Sequence, residues 1–305
     1  MAEARLAPAP TFLRIAVPLA LILLLSACSS ASILNPAGPI ADANRTILLN
    51  ATVIMLVIIV PTIIATLAFA WWFREGNAKA EYKPGFVYSG RIELLVWSIP
   101  LLTITFLGGV IWIGSHQLDP HRPIAGKTAP LEVQVVALDW KWLFIYPAQG
   151  IATVNVLPLP VGTPVHFKLT SGSVMNSFFI PRLGSQIYAM NGMETELWLQ
   201  ADKPGSYYGR SAHFSGDGFP QMSFQAVAVP PQQFAAWTAQ ARTGGRVLDA
   251  RTYPLLAKQS RDVKPFTIGR VQPNIFAAIV HQHLPPAAGP VEGHGGPQVK
   301  PVGGR

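Results

Sequence analysis

The chain of 305 residues has a single cysteine, Cys28. A lone thiol excludes an internal disulfide framework, and it excludes any metal site built from several cysteines of this chain. Charge is scarce too. Only 12% of the residues are charged, against about 25% in an ordinary soluble domain. The net charge of +8 is spread along the chain, with no Lys/Arg run. Such a run would mark a nucleic-acid backbone contact, so no nucleic-acid partner is expected. Apolar residues take the place of charge, at 50% of the chain. This balance predicts membrane segments, and the length leaves room for one domain of about 150 residues.

Arg5 and Arg14 precede the apolar run 15–25, which ends in Leu25-Ser26-Ala27-Cys28. A basic start, an apolar stretch and small residues form a secretory signal pattern. The Leu-Ser-Ala-Cys ending resembles the bacterial lipobox. That resemblance implies a signal peptide over 1–27, cleavage before Cys28 and acylation of its thiol and new amino group. Each buried CH₂ of an acyl chain contributes about 0.8 kcal/mol to anchoring. The other reading is a structural cysteine behind an ordinary signal peptide.

Residues 46–73 and 94–115 carry no charge. About 20 apolar residues cross a hydrocarbon core as a helix, so each run predicts a transmembrane segment. Pro61 and Pro100 lie inside them, and Trp71, Trp72, Trp97 and Trp112 lie near their ends, where aromatic belts sit. The connection 74–93 holds Arg74, Lys79, Lys83 and Arg91, whereas the outer flanks offer only Arg45, Arg122 and Lys127. The positive-inside rule places that connection in the cytoplasm. Residues 28–45 and everything beyond about 116 then face the periplasm, in agreement with the lipobox.

From 131 the pattern becomes short and alternating. Residues 131–137, 151–157, 164–170, 194–200 and 222–229 read as strands separated by Pro, Gly, Asn and Asp clusters, the signature of a β-sandwich or barrel. Residues 232–243 read as a helix after a proline start, with a weaker helix around 253–260. The tail 285–305 is rich in Pro and Gly and is expected to lack structure.

A lipobox, two membrane helices, a β-sandwich and a helical tail resemble subunit II of bacterial haem-copper terminal oxidases over nearly the whole chain. The most specific stretches are 137–147, 174–184 and 209–224. Residues 232–283 are similar to the aromatic-rich arm of the quinol-oxidising, cytochrome bo-type branch. The fold this implies is a two-helix transmembrane hairpin, a cupredoxin-like sandwich over 127–230 and a short helical arm over 231–284.

In the cytochrome c-oxidising branch the sandwich binds a dinuclear copper centre. Aligned on the flanking motif, its first histidine falls on Asn176 and its two cysteines on Ser211 and Ser215. Its carbonyl donor falls on His213, its second histidine on Phe219 and its methionine on Met222. Only Met222 keeps a ligand-type side chain in place, and serine hydroxyls do not replace thiolates on soft copper at neutral pH. The resemblance therefore implies no cofactor on this chain and no electron transfer from cytochrome c. Haems and one copper are expected in subunit I, which ubiquinol reduces directly, with O₂ going to water and protons being pumped. Expected partners are subunit I, smaller membrane subunits and inner-membrane lipid. The competing readings are a copper-carrying subunit with unusual ligands and a free lipoprotein assembly factor.

Glu93, in Gly90-Arg91-Ile92-Glu93-Leu94 at the cytoplasmic mouth of the second helix, resembles the family's proton-entry glutamate. An acid at a membrane interface can collect a proton for a water-filled path; the plainer reading is a surface charge paired with Arg91 or Lys83. His116 reads as an interfacial polar residue. His281, His283 and His294 lie in a Pro/Gly-rich context that argues against a metal site. Asp139, Trp140, Lys141 and Trp142 are expected to pack the domain or meet subunit I. Ser211, His213 and Asp217 could suggest a hydrolase triad, but no nucleophile elbow accompanies them. The stretch 242–270, with seven basic and two acidic residues, reads as a solvated or partner-facing surface.

Overall fold

The structure, a computed structural model, describes residues 33–81, 83–126 and 128–287. Cys28, Lys127 and His294 lie outside the described residues, and so do the expected signal peptide and most of the expected tail.

Two long helices come first, α1 (Pro39–Trp72) and α2 (Gly90–Gln117). Both are long and apolar enough to cross a membrane. Their threonines do not interrupt the apolar surface. Thr52, Thr62 and Thr66 donate to the carbonyls four residues back at 2.7–2.8 Å, and Thr103 does so at 2.8 Å. A hydroxyl satisfied by its own helix needs no partner from the surroundings. The helices approach closely where Gly114 faces Ile47; a Cβ there would stand 2.8 Å from the Ile47 Cδ1. Small residues permit such contacts between apolar helices.

At 1.5 Å per residue, the 34 residues of α1 span about 51 Å, well beyond a hydrocarbon core of about 30 Å. The surplus is at its start. The helix begins at Pro39, inside the segment 28–45 that the sequence reads as a periplasmic lead. This first part is held by the β-domain: Ala37 N–H donates to Arg182 O at 2.8 Å, Ala41 N–H to Leu183 O at 3.2 Å, and Asp202 N–H to Ala37 O at 2.8 Å. The Asn44 amide adds a bond to Ser185 Oγ at 3.1 Å. Likewise α2 starts at Gly90, four residues before the uncharged run.

The β-domain contains β1 (Leu131–Leu138), β2 (Lys141–Tyr146), β3 (Ile151–Val154), β4 (Val156–Pro160), β5 (Val165–Ser171), β6 (Asn176–Phe179), β7 (Ile187–Ala189), β8 (Thr195–Leu199), β9 (Gly205–Ser211) and β10 (Ser223–Val229). The arm that follows holds α3 (Pro231–Ala241), β11 (Val247–Leu248), α4 (Tyr253–Ala257), β12 (Phe266–Ile268), β13 (Arg270–Val271) and α5 (Ile275–Val280). One sheet runs β12-β3-β2-β1-β5-β8 and the other β4-β10-β9-β6-β7. The expected strand 151–157 is broken at Asn155, whose φ of 56° turns the chain from β3 in one sheet to β4 in the other. Four strands of the β-domain have no counterpart in the sequence reading: β2, β6, β7 and β9.

Two apolar cores result. Between the sheets, Trp142, Phe144, Phe167, Phe178 and Phe224 interlock, with the Phe178 and Phe224 rings stacked at 5.2 Å. On the outer face of the first sheet, Val136, Leu138, Leu143, Ile145, Ala152 and Val154 pack against Leu248, Tyr253, Ile268, Ile275, Phe276 and Ile279 of the arm. The arm is thus more than helical. It adds β12 as an edge strand and covers a sheet face that would otherwise be an exposed apolar patch.

Candidate functional site

Ser211 closes β9, Asn176 opens β6, and the turn-rich connection from 212 to 222 returns the chain into β10. Register places these together: Phe178 pairs with Ser211, Phe179 with Arg210, and Ser223 with Arg210. Ser211 N–H donates to Met222 O at 3.1 Å and Ala212 N–H to Ser177 O at 2.9 Å, which pins both ends of the connection. Asn176, Ser211, Ser215 and Met222 are all buried here. The Ser211 hydroxyl lies 3.1 Å from Asn176 Oδ1 and 3.1 Å from His213 O, sharing its one proton between two acceptors. The Asn176 amide donates to Val174 O at 3.1 Å, and Ser215 Oγ stands 3.9 Å from Met222 Sδ.

The structure therefore gathers four of the six positions that the sequence singles out. The other two send their side chains elsewhere. The His213 ring packs edge-on against Tyr188 at 5.8 Å, and Phe219, opening a short 3₁₀ turn over 219–221, packs against Phe214 at 5.6 Å. His213 faces Ser211 with its carbonyl rather than its imidazole. Asp217 pairs with Arg261 at 3.5 Å. No hydrolytic triad forms from Ser211, His213 and Asp217.

As a donor set, two hydroxyls, one carboxamide and one thioether do not suit a dinuclear copper centre, which needs bridging thiolates and imidazoles. Their polar atoms are also already engaged with one another. Among the described residues, no group of three or more His, Cys, Asp or Glu comes together.

Trp140 lies beside this cluster in a left-handed conformation, φ 63°. Its indole N–H donates to Ser215 O at 2.9 Å, one face rests on Gly218, and the Arg261 guanidinium lies 5.1 Å from the ring centre. Asp139 and Lys141, on either side of it, are buried charges. Burial pushes the Asp139 carboxyl above the usual carboxylate range, opposed by bonds from Ser173 and Gln259 and by the charge of Lys141. Burial pulls the Lys141 ammonium down to about 8, opposed by Asp139. Sequence reading treats 139–142 as domain packing or a contact with subunit I and does not single out these two buried charges. The signal available was two opposite charges flanking a tryptophan in a domain otherwise poor in charge.

Glu93 lies in the first turn of α2, exposed, with its N–H bonded to Ser89 O at 3.0 Å. A carboxylate in a first helical turn interacts favourably with the helix dipole. Lys83 pairs with Glu81 at 3.1 Å. His116 is bonded to Trp112 O at 2.8 Å, and its ring lies tilted against that indole at 4.4 Å. His281 and His283 are exposed, with ring centres 6.0 Å apart.

The chain is similar to known proteins over most of its length. The family model of the cytochrome c oxidase subunit II periplasmic domain matches residues 132–229. The chain is 48% identical to ubiquinol oxidase subunit 2 of Acetobacter aceti over 86% of its length and 85% of the relative's. It is 47% identical to cytochrome bo(3) ubiquinol oxidase subunit 2 of Pseudomonas aeruginosa over 90% of its length and 83% of the relative's. The chain belongs to the ubiquinol oxidase subunit 2 family. Quinol oxidase subunit 2 of Bacillus cereus is more distant, at 35% identity over 84% of this chain and 86% of that one. The family assignment agrees with the expected two-helix hairpin and cupredoxin-like domain. It also makes the chain a membrane-anchored member of an oxidase complex.

Proposed function

We propose that this chain is the second subunit of a membrane complex that oxidises ubiquinol, reduces O₂ to water and pumps protons, and that it carries no redox centre itself. The observation that carries this reading is the buried contact of Ser211 with Asn176, beside Ser215 and Met222. The oxygens that occupy the copper-ligand positions of cytochrome c-oxidising relatives are turned into a hydrogen-bonded core. In this reading Asn176, Ser211, His213, Ser215, Phe219 and Met222 mark a copper site that has been given up. Haems and one copper sit in subunit I, which ubiquinol reduces without passing electrons through this chain or accepting them from cytochrome c.

The role left to the chain is structural and protonic. Two helices anchor it against subunit I and smaller membrane subunits. Cys28, acylated at the outer face of the inner membrane, adds a lipid anchor, and the β-domain stands in the periplasm. Glu93, exposed in the first turn of α2 with the basic connection 74–93 before it, sits where it can collect a cytoplasmic proton and hand it to a path in subunit I.

The test is the complex purified through a tag on this chain. One copper and two haems per complex, with oxygen uptake from ubiquinol and none from reduced cytochrome c, support the reading. Three coppers with cytochrome c activity overturn it. For Glu93, Glu93→Gln should lower turnover severalfold while ubiquinol KM stays put. Unchanged turnover removes the proton role and leaves the rest of the proposal standing.

A further inference from the structure

Lys141 begins β2 and is 2% exposed. Its Nζ donates to Lys258 O and Ser260 Oγ, both at 2.7 Å, and to Asp139 O at 3.4 Å. The first two acceptors lie 117 and 119 residues further along the chain, in the arm just after α4. Gln259, between them, hydrogen-bonds the Asp139 carboxylate. Arg261, the next residue, covers Trp140 and pairs with Asp217 of the 212–222 connection. Four consecutive arm residues therefore grip three consecutive turn residues, and the last of them also reaches the connection between β9 and β10.

We propose that residues 258–261 form a proton-responsive clasp, which holds the C-terminal arm to the 139–141 turn through Lys141 and transmits its state to the 212–222 connection through Trp140 and Arg261. The clasp closes over a charge. An ammonium and a carboxylate removed from water are costly unless well partnered, and either group escapes that cost by losing its charge or by opening the clasp. Of the titratable groups around the clasp, Asp139 is the one whose charge acts on the ammonium; that charge also acts on Tyr253 of α4, Lys258 presents its carbonyl, and Arg261 and Asp217 pair with each other beside Trp140.

The direction follows from linkage. Lys141 titrates at about 8 when the clasp is closed, and an exposed lysine titrates at 10.5. Opening therefore takes up a proton between these values, and the closed state gains as pH rises through them. From pH 7 to pH 9 this makes opening about tenfold rarer. Asp139, with its carboxyl pushed up, works the other way on the acid side. The closed state keeps a proton that an exposed carboxyl releases, so the clasp tightens as pH falls below the raised value toward 3.8. The grip is loosest between the two transitions, where both groups are charged.

Hydrogen–deuterium exchange of the purified complex at pH 7 and pH 9, corrected for intrinsic exchange rates, tests this. Opening of peptides covering 253–262 and 211–222 should both become about tenfold rarer at pH 9. Lys141→Met removes the titrating group and should flatten both responses. Lys141→Arg keeps a charge at both pH values and should flatten them too, which guards against a variant that fails to fold. Arg261→Ala should leave the arm's response in place and abolish that of 211–222. Equal wild-type protection at the two pH values, or an undiminished response in both lysine variants, overturns the clasp. A retained 211–222 response in Arg261→Ala overturns the coupling.

Discussion

Ser211 and Asn176, 35 residues apart, share a buried hydrogen bond of 3.1 Å that ties the end of β9 to the start of β6. The bond lies where β6 pairs with β9, beside the 212–222 connection. Neither residue type is a good buried packer. Each is tolerated because the other satisfies it.

Asn176→Ala should therefore destabilise the β-domain by about 1–2 kcal/mol, since it strands the Ser211 hydroxyl on the His213 carbonyl alone. Thermal unfolding in detergent measures this. Pairing it with Ser211→Ala should recover part of the loss, because it removes the hydroxyl that has lost its Asn176 acceptor.

Gly218 lies against the Trp140 indole; a Cβ there would come within 2.1 Å of the ring. Gly218→Ala should cost about 1–3 kcal/mol by overpacking and should alter the tryptophan fluorescence. At Gly245, in the arm, an added Cβ would meet nothing within 4 Å. Gly245→Ala is therefore the control and should leave both signals unchanged.

The entry of α1 depends on Gly38. A Cβ at this position would stand 2.0 Å from Gln200 O, a backbone atom that cannot swing away. Gly38→Ala should break the bonds from Ala37 and Ala41 to the 182–183 carbonyls. Faster proteolysis near residue 38 in intact membranes, with the membrane helices retained, is the expected result.

Asp249 accepts from the N–H groups of Thr252 at 2.8 Å and Arg251 at 3.0 Å, at the start of α4. Those bonds hold its carboxyl below the usual value of 3.8, the Thr252 backbone bond contributing most. A depressed carboxyl contributes stability that is present above 3.8 and is lost as pH falls through the folded value. Asp249→Ala should thus lower the melting temperature at about pH 6, and the gap from wild type should close as the pH is taken below the usual carboxylate value. A gap that is constant with pH would assign the effect to lost packing.

The two apolar helices and strands such as β1 and β10 could be read from the chain alone, because their solvent imposes the pattern. A lipid core requires an unbroken apolar run, and a sheet with one covered face writes alternation into its sequence. The proposed loss of copper ligands also starts from the sequence, since it rests on residue identity at the positions that the family resemblance aligns. The remaining features depend on which surfaces meet. All six residues of β2 are buried because the arm covers the outer face while the second sheet covers the inner one, so no alternation remains to be seen. Residues 39–45 include Asp42, Asn44 and Arg45 and read as a polar lead; they are helical because the β-domain bonds to them. β12 is three residues long and exists because β3 offers an edge. The pairing of Asn176 with Ser211, and of Lys141 with the arm, was decided by the tertiary structure alone. Such contacts join residues far apart in the chain, and no local pattern records the partner that satisfies a buried polar group.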